Sequence, residues 1–165
     1  MEFFDVVDEK RKYLGYKKER GCKLNENEYN VGVEIWMFCN NKLLLTQRSL
    51  KKSHPGEWEV PGGCSQEGET SEDTLIREVY EEIGIKLNKH NYEFLNTQIY
   101  KKQFVDIYKG KLFIDVSDIK IQEDEVSAFK LVTKVEFIEM VNNNLIVKSV
   151  FNRYEVIKDM LKKEW

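Results

Sequence analysis

The segment at residues 62–85, GGCSQEGETSEDTLIREVYEEIGI, is rich in carboxylates and holds a single cation, Arg77. In a helix, Glu78 and Glu82 lie only about 40° apart around the axis, and Glu81 lies about 60° to the other side of Glu78. Carboxylates this close repel each other, and a hard divalent cation removes the repulsion because Mg²⁺ and Mn²⁺ prefer carboxylate oxygens. The spacing therefore indicates a metal site, with a solvated helix face as the alternative.

Two further features of this segment fit the same chemistry. Arg77 lies four residues before Glu81, which is the spacing of an ion pair on one helix face. Gly62 and Gly63 precede the helix, and their missing side chains let a phosphate or a carbonyl group approach the backbone closely. We therefore expect Arg77 to hold one carboxylate in place and the two glycines to border the bound group.

The same residues match the signature of a known family. Gly63, Glu69 and the run from Arg77 to Ile85 occupy every defined position of the Nudix box, so the chain resembles the Nudix hydrolase family. The preceding stretch PGEWEVPGG and the order of strand-like segments are also similar to that family. The resemblance implies an α/β (α+β) fold, the Nudix α/β/α sandwich, in which a mixed β-sheet is packed between helices and residues 1–165 form a single domain.

The resemblance also implies a reaction, the metal-dependent hydrolysis of a diphosphate bond in a nucleoside diphosphate linked to another group. The ligands that it implies for Mg²⁺ (or Mn²⁺) are the carbonyl of Gly62 and the carboxylates of Glu78, Glu81 and Glu82. It gives catalytic parts to Arg77, Glu78 and Glu81, with Glu69 supporting the cluster. The base that activates water would be Glu78 or, outside the box, Glu125 in the acidic run QEDEV. A solvated loop is the alternative interpretation of Glu125.

Outside the box, the sequence offers fewer candidates for substrate binding. Arg48 could reach a phosphate or could be a surface charge at a strand end, and both interpretations stay open. Trp58 and Phe104 would either stack on a base or sugar or pack in the core, which is the commoner fate of such aromatic residues. Gly63 would border the diphosphate. No motif places a base beside Cys64, which argues against a cysteine nucleophile.

Two alternative functions stay open at this stage. The N-terminal stretch resembles the branch related to isopentenyl diphosphate isomerase, whose catalytic cysteine follows the tryptophan of the loop. Aligned on Trp58, this chain has Gly63 in the place of that cysteine and Ser65 in the place of a histidine, and its box has the hydrolase form. The second alternative is a non-catalytic, nucleotide-binding Nudix domain that regulates a partner, although every box glutamate is present.

Composition limits the remaining classes of function. The chain has 165 residues, of which 41% are hydrophobic and 33% are charged, and its formal net charge is -3. These values predict one globular domain without a dedicated surface for DNA. The family resemblance implies a small-molecule diphosphate as its partner. No apolar run is long enough to span a membrane, and no signal peptide is visible. The three cysteines do not have the spacing of a metal site, and free thiols suit a reducing compartment. We therefore expect a cytoplasmic protein. The oligomeric state stays open, with a homodimer as one candidate.

Local patterns predict the order of the elements. Strands are expected at residues 2–8, 29–39, 42–48, 92–100, 103–116 and 127–133. Helices are expected from Thr70 to Ile83, from Lys134 to Asn142, and from Val150 to Lys163 with Ser149 as its cap. The pair Asn40 and Asn41 predicts a tight turn with positive φ, and the charged stretch after the first strand predicts another turn.

Overall fold

The computed structural model describes all 165 residues, which form nine strands and three α-helices. The strands are β1 (Phe3–Val7), β2 (Tyr13–Glu19), β3 (Asn30–Cys39), β4 (Lys42–Arg48), β5 (Trp58–Glu59), β6 (Gly62–Cys64), β7 (Tyr92–Tyr100), β8 (Gln103–Lys111) and β9 (Val126–Val132). The helices are α1 (Ser71–Ile83), α2 (Lys134–Asn142) and α3 (Lys148–Ile157), with a short 3₁₀ turn at Val116–Asp118. No helix of the structure is both long enough and apolar enough to cross a membrane.

Seven of the strands form one mixed sheet in the order β5-β4-β3-β8-β7, in which β6 also pairs with β3 and β9 with β4. Strands β3 and β8 run parallel, and the other pairings of this sheet are antiparallel. Strands β1 and β2 form a separate antiparallel hairpin. Strand β3 therefore lies at the centre of the sheet, where β4, β6 and β8 all pair with it.

Successive side chains of β3 point to opposite faces of the sheet and enter two different cores. Trp36 and Phe38 belong to a cluster that includes buried residues of α2 and α3. Ile35 and Met37 belong to a second cluster that includes the apolar stripe of α1. Helices thus cover both faces of the mixed sheet, which confirms the predicted α/β/α sandwich.

Helix α1 carries the acidic residues of the box, and local chemistry fixes both of its ends. Thr70 accepts a hydrogen bond from the backbone N–H of Asp73, and the Asp73 side chain accepts one from the backbone N–H of Thr70. Gly84 ends the helix with a φ of 74°, a conformation in which its N–H donates to the carbonyl of Tyr80. The predicted helix and its Thr70 cap are therefore confirmed.

The N-terminal half of the fold differs from the prediction in one element. The predicted charged turn after β1 is present at residues 8–12, where the N–H of Arg11 donates to the carbonyl of Asp8 at 2.9 Å. The strand β2, which was not predicted, follows this turn and pairs with β1. Almost all side chains of β2 are exposed, so it lacks the alternating apolar pattern that marks a half-buried strand. The turn at Asn40 and Asn41 is confirmed, with φ values of 49° and 61°.

Two later element boundaries also differ from the prediction. Strand β8 ends at Lys111, which pairs with Phe38 next to the turn that ends β3, and does not continue to residue 116. Helix α3 begins at Lys148 and ends at Ile157, so Ser149 lies inside its first turn and does not cap it. The chain continues in turns at 158–164, which bring Leu161 into the core and let Trp165 pack against it.

Candidate active site

A cavity of about 460 Å³ lies where α1 and β6 meet α3 and the two ends of the β1–β2 hairpin. Its charged lining residues are Glu2, Arg20, Glu34, Arg48, Lys52, Glu59, Arg77, Glu78, Glu81, Glu82, Glu125 and Arg153. No aromatic side chain lines it. The fold therefore brings three box glutamates (Glu78, Glu81 and Glu82) to one cavity with Arg48, Arg77 and Glu125, although some of these residues lie far apart in the sequence.

The two glycines of β6 are required by the close packing at the base of the cavity. Strand β6 pairs with β3, with Gly62 opposite Glu34 and Gly63 opposite Val33. A Cβ atom at Gly62 would overlap the backbone of Val33, and a Cβ atom at Gly63 would overlap the carboxylate of Glu78. The glycines thus let α1 place Glu78 directly against the strand, which explains their position before the acidic helix.

Arg77 is the centre of the hydrogen-bond network of the cavity. Its Nε and Nη2 donate to the two carboxylate oxygens of Glu69 at 2.6 and 2.9 Å. Its Nη1 donates to Glu78 at 2.8 Å and to Glu81 at 3.0 Å, and Nη2 also donates to the carbonyl of Cys64 at 3.0 Å. A guanidinium has five N–H groups, so all of them are used by the protein. Arg77 therefore orients the carboxylates and has no donor left for a substrate.

Glu82 is the least satisfied charged group of the cavity. Its side chain is 1% exposed, and its Oε2 has no hydrogen-bond partner. Burial raises the pKa of Glu82 well above its usual value, and the nearby carboxylates of Glu59 and Glu78 raise it further. A buried carboxylate without a partner is costly unless a cation compensates it.

Glu78 has a similar environment with partial compensation. Burial raises the pKa of Glu78, and the opposing charge of Arg77 limits the rise. Two buried carboxylates, one of them with an orphan oxygen, form a set of hard donors that fits Mg²⁺ or Mn²⁺. The residues present therefore fit the metal that the box implies.

The carboxylates are not yet arranged around a common point. No three His, Cys, Asp or Glu side chains converge closely enough in this structure to hold an ion. Arg77 accounts for this arrangement because it draws the carboxylates of Glu78 and Glu81 toward its own Nη1. The Glu81 side chain is 44% exposed and is held in this structure by its ion pair with Arg77.

The two charged candidates outside the box, Arg48 and Glu125, line the cavity, and each already forms an ion pair. Arg48 donates from Nη1 to Glu59 at 2.6 Å and from Nε to the carbonyl of Ser53 at 2.5 Å. Glu125 forms an ion pair with Lys52, and its side chain is 41% exposed. Each is therefore within the site, and the ion pairs reduce the charge that each presents to a substrate.

The two aromatic candidates lie elsewhere. Trp58 is buried in the core cluster of α2 and α3, where Lys130 places its ammonium 4.3 Å from the ring centroid. Phe104 is also buried, and its ring contacts Tyr29 with centroids 5.4 Å apart. Neither residue lines the cavity. The assignment of Trp58 to substrate binding is corrected accordingly, because the strand β5 turns its side chain into the core.

Cys64 lines the cavity without a base beside it. Its Sγ accepts a hydrogen bond from the Gln103 side chain at 3.1 Å. Neither histidine lines the cavity, and His54 instead lies beside Glu57 at 3.3 Å. No base therefore lies beside the cysteine to activate it for nucleophilic attack.

Sequence reasoning missed one pair at this site, Glu34 and Arg153. The Nε of Arg153 in α3 donates to Glu34 in β3 at 2.6 Å, across 119 positions of the chain. Glu34 is 3% exposed, and burial raises its pKa against the opposing effect of Arg153. The signal for Glu34 was present in the stretch VGVEIWMFC, where it is the only charge in a strand of apolar residues. No local pattern marks its partner in α3.

Comparison with known proteins agrees with the fold and with the box. Residues 28–150 match the model of the NUDIX domain. An uncharacterized Nudix hydrolase of Listeria monocytogenes is 30% identical over 139 residues, which cover 82% of this chain and 82% of that protein.

Two solved structures share the architecture. The DR0079 protein of Deinococcus radiodurans superimposes with a TM-score of 0.75 at 20% identity, over 89% of this chain and 93% of the other. The NUDIX domain of Shewanella oneidensis NrtR, solved in complex with ADP ribose, has a TM-score of 0.64 at 20% identity, over 89% of this chain and 94% of the other. The match to the NUDIX domain model and the similarity to the Listeria protein, together with the complete box, show that the chain belongs to the Nudix hydrolase family.

Proposed function

We propose that this protein is a Mg²⁺-dependent (or Mn²⁺-dependent) pyrophosphohydrolase that cleaves a diphosphate bond in a nucleoside diphosphate linked to another group. The observation that carries the proposal is Glu82, a buried carboxylate with an orphan oxygen beside the buried Glu78 at the base of a charged cavity. Such a pair is unfavourable in a protein that binds no cation. Family membership supports the hydrolytic class of the reaction.

In this proposal each residue of the network has a defined task. The carboxylates of Glu78, Glu81 and Glu82, with the carbonyl of Gly62, would hold the cation. When bound, the ion supplies a water of lowered pKa and neutralises charge on the diphosphate. Arg77 fixes the starting positions of Glu78 and Glu81 through its Nη1.

Two carboxylates compete for the task of general base. Glu78 lies at the base of the cavity against Gly63, and burial raises its pKa above the usual value, which favours proton uptake. Glu125 is more exposed and is paired with Lys52, so it would accept a proton only after that ion pair opens. We therefore keep Glu78 as the first candidate and Glu125 as the second.

We further propose that residues 1–165 form a single catalytic domain and that the protein is cytoplasmic. Its three cysteines are all free, which suits a reducing compartment. A homodimer is the candidate assembly. A small diphosphate compound is the proposed partner, and neither DNA nor a membrane is one.

The direct experiment is a substrate screen with Mg²⁺ in which the products are identified by mass. Nucleoside diphosphate sugars, nucleoside triphosphates, dinucleoside polyphosphates and coenzymes form the panel. We expect at least one to be split at the diphosphate bond, and we expect excess chelator to abolish turnover because the carboxylates alone cannot activate water. Full turnover in chelator, or cleavage of no compound in the panel, would contradict the proposal.

A further inference from the structure

The cations that line the cavity differ in how many of their donors the protein already uses. A guanidinium has five N–H groups. Arg77 uses all five, and Arg48 uses three, on Glu59 and Ser53. Arg153 uses one, the Nε–H that it donates to Glu34. Arg20 also makes one hydrogen bond, to Glu2, but its side chain is 53% exposed against 12% for Arg153. Arg153 is thus the well-buried arginine of the cavity with the most free donors.

The pair with Glu34 holds Arg153 in a fixed place. One oxygen of Glu34 accepts from the Nε of Arg153 at 2.6 Å, and the other accepts from the indole N–H of Trp36 at 3.0 Å. Glu34 lies directly opposite Gly62 in the β3–β6 pairing. Glu34, which anchors the Arg153 guanidinium, therefore lies on β3 directly beside the Gly62–Gly63 pair of β6.

The geometry of this pair is unusual for a structural ion pair. An arginine that only neutralises a buried carboxylate commonly does so with two parallel hydrogen bonds. Here the contact is made through Nε alone, and both terminal nitrogens remain without a protein acceptor on a residue that lines the cavity. A buried ion pair adds little stability by itself, so stability gives a weak reason for its presence.

The other residues that line the cavity are mostly charged or polar, so a ligand would bind there mainly through electrostatic interactions. No aromatic side chain lines the cavity, so no base or sugar can stack on a ring within it. A phosphate group, by contrast, matches the free end of a guanidinium and accepts two hydrogen bonds from it. The cavity thus favours ligands that it recognises through their phosphates.

We propose that Arg153, anchored by Glu34, binds a phosphate group of the substrate with its two terminal nitrogens and so is a specificity-determining residue for diphosphates. This inference rests on the proposed function, because it assigns a second contact to the same diphosphate. The ligand class is a diphosphate that the enzyme recognises by its anionic oxygens.

The test measures binding of methylenediphosphonate, a diphosphate analogue that cannot be hydrolysed, by calorimetry in the presence of Mg²⁺. The main variant is the double substitution Glu34→Gln and Arg153→Gln, which removes both charges and leaves no buried carboxylate unpaired. We expect its Kd to rise about tenfold or more, as for the loss of a charge-assisted hydrogen bond. The control is Lys148→Gln, which removes one exposed positive charge from the same helix and should leave the Kd within about twofold.

A second variant, Arg153→Lys, separates the charge from the forked geometry. We expect a Kd and a KM between those of the wild type and the double variant, with kcat changed less than KM, because lysine keeps the charge and loses the paired donors. This variant also decides the question if circular dichroism shows that the double variant is unfolded. A Kd and KM equal to the wild-type values would then overturn the inference.

The outcomes separate this inference from the proposed function. A wild-type protein that binds no methylenediphosphonate overturns the inference. A wild-type protein that hydrolyses its substrate, together with a folded double variant of unchanged Kd, overturns the inference and leaves the proposed function standing. A wild-type protein that binds the analogue through Arg153 but hydrolyses none of the screened diphosphates contradicts the proposed function and leaves the anion site standing.

Discussion

Arg77 shows, for a single residue, what spacing can and cannot predict. The four-residue spacing predicted its pair with Glu81, and that pair is present at 3.0 Å. Its bonds to Glu69 and to the carbonyl of Cys64 depend on how the loop before α1 folds back, so no helical pattern predicts them. The predicted role is thus extended from one carboxylate to three, because a guanidinium with every N–H used positions Glu69, Glu78 and Glu81 and has no donor left for substrate.

Cys64 provides a prediction at the same scale. Replacing it with serine keeps an acceptor for the Gln103 side chain and removes the thiol. We expect the Cys64→Ser variant to retain diphosphate hydrolysis within a few-fold of wild type, because no base lies beside the sulfur. Steady-state kinetics in Mg²⁺ checks this. A several-hundred-fold loss of turnover, with unchanged stabilisation by Mg²⁺, would revive the isomerase-like alternative.

Among the elements, the β1–β2 hairpin was the least predictable and still borders the site through Glu2 and Arg20. A bonded cluster ties it to the main sheet and to α1. Arg11 donates to Asp106 of β8 at 2.7 Å and to the hydroxyl of Ser71 at 2.8 Å, and Ser71 donates to Asp106 in turn. Such long-range polar contacts leave no periodic signal in the sequence, so the position of the hairpin could not be predicted.

The Asp106→Asn variant tests this attachment. It should lower the free energy of unfolding by about 1–3 kcal/mol, because Arg11, Ser71 and Thr97 lose a buried, charged acceptor. It should also increase amide exchange in the hairpin, since Arg11 loses its anchor. Denaturant unfolding and hydrogen exchange measure the two effects. Asp115→Asn, at an exposed aspartate, is the control and should change neither.

The same cluster predicts a dependence on pH. Burial raises the pKa of Asp106, but the hydrogen bonds from Arg11, Ser71 and Thr97 outweigh it and hold the pKa below its usual value. A carboxylate with a lowered pKa stabilises the fold above the unfolded value of about 4, and this contribution is lost as the pH falls through the folded value. The difference in unfolding free energy between wild type and Asp106→Asn should therefore shrink below about pH 4. A constant difference down to pH 2 would contradict this assignment.

For the whole molecule, the sequence predicted the layers and the box but not the wall of the cavity opposite α1. The alternation in β3 and the apolar stripe of α1 carry enough information to predict a sheet covered by helices. Arg153 comes from α3 and meets Glu34 only after the whole chain has folded around the sheet. The distant wall of a cavity is set by tertiary packing, which one sequence does not reveal.

If the buried carboxylates bind a divalent cation, the Glu82→Gln variant should show it most directly. Glutamine keeps the shape of the side chain and removes the charge that burial makes costly. The variant should therefore be as stable as wild type, or more stable, without metal. It should lose most of the increase in Tm caused by Mg²⁺, because a ligand that binds only the folded state stabilises it less when it binds more weakly.

The decisive measurement is thermal unfolding with and without Mg²⁺, combined with the rate of diphosphate hydrolysis, for wild type, Glu82→Gln and the control Glu139→Gln at an exposed glutamate of α2. We expect Glu82→Gln to lose the Mg²⁺-induced shift and more than about a hundredfold in rate, as when one electrostatic contact to the transition state is removed. The control should keep both. A Glu82→Gln protein with the wild-type Tm shift and the wild-type rate would contradict the metal site.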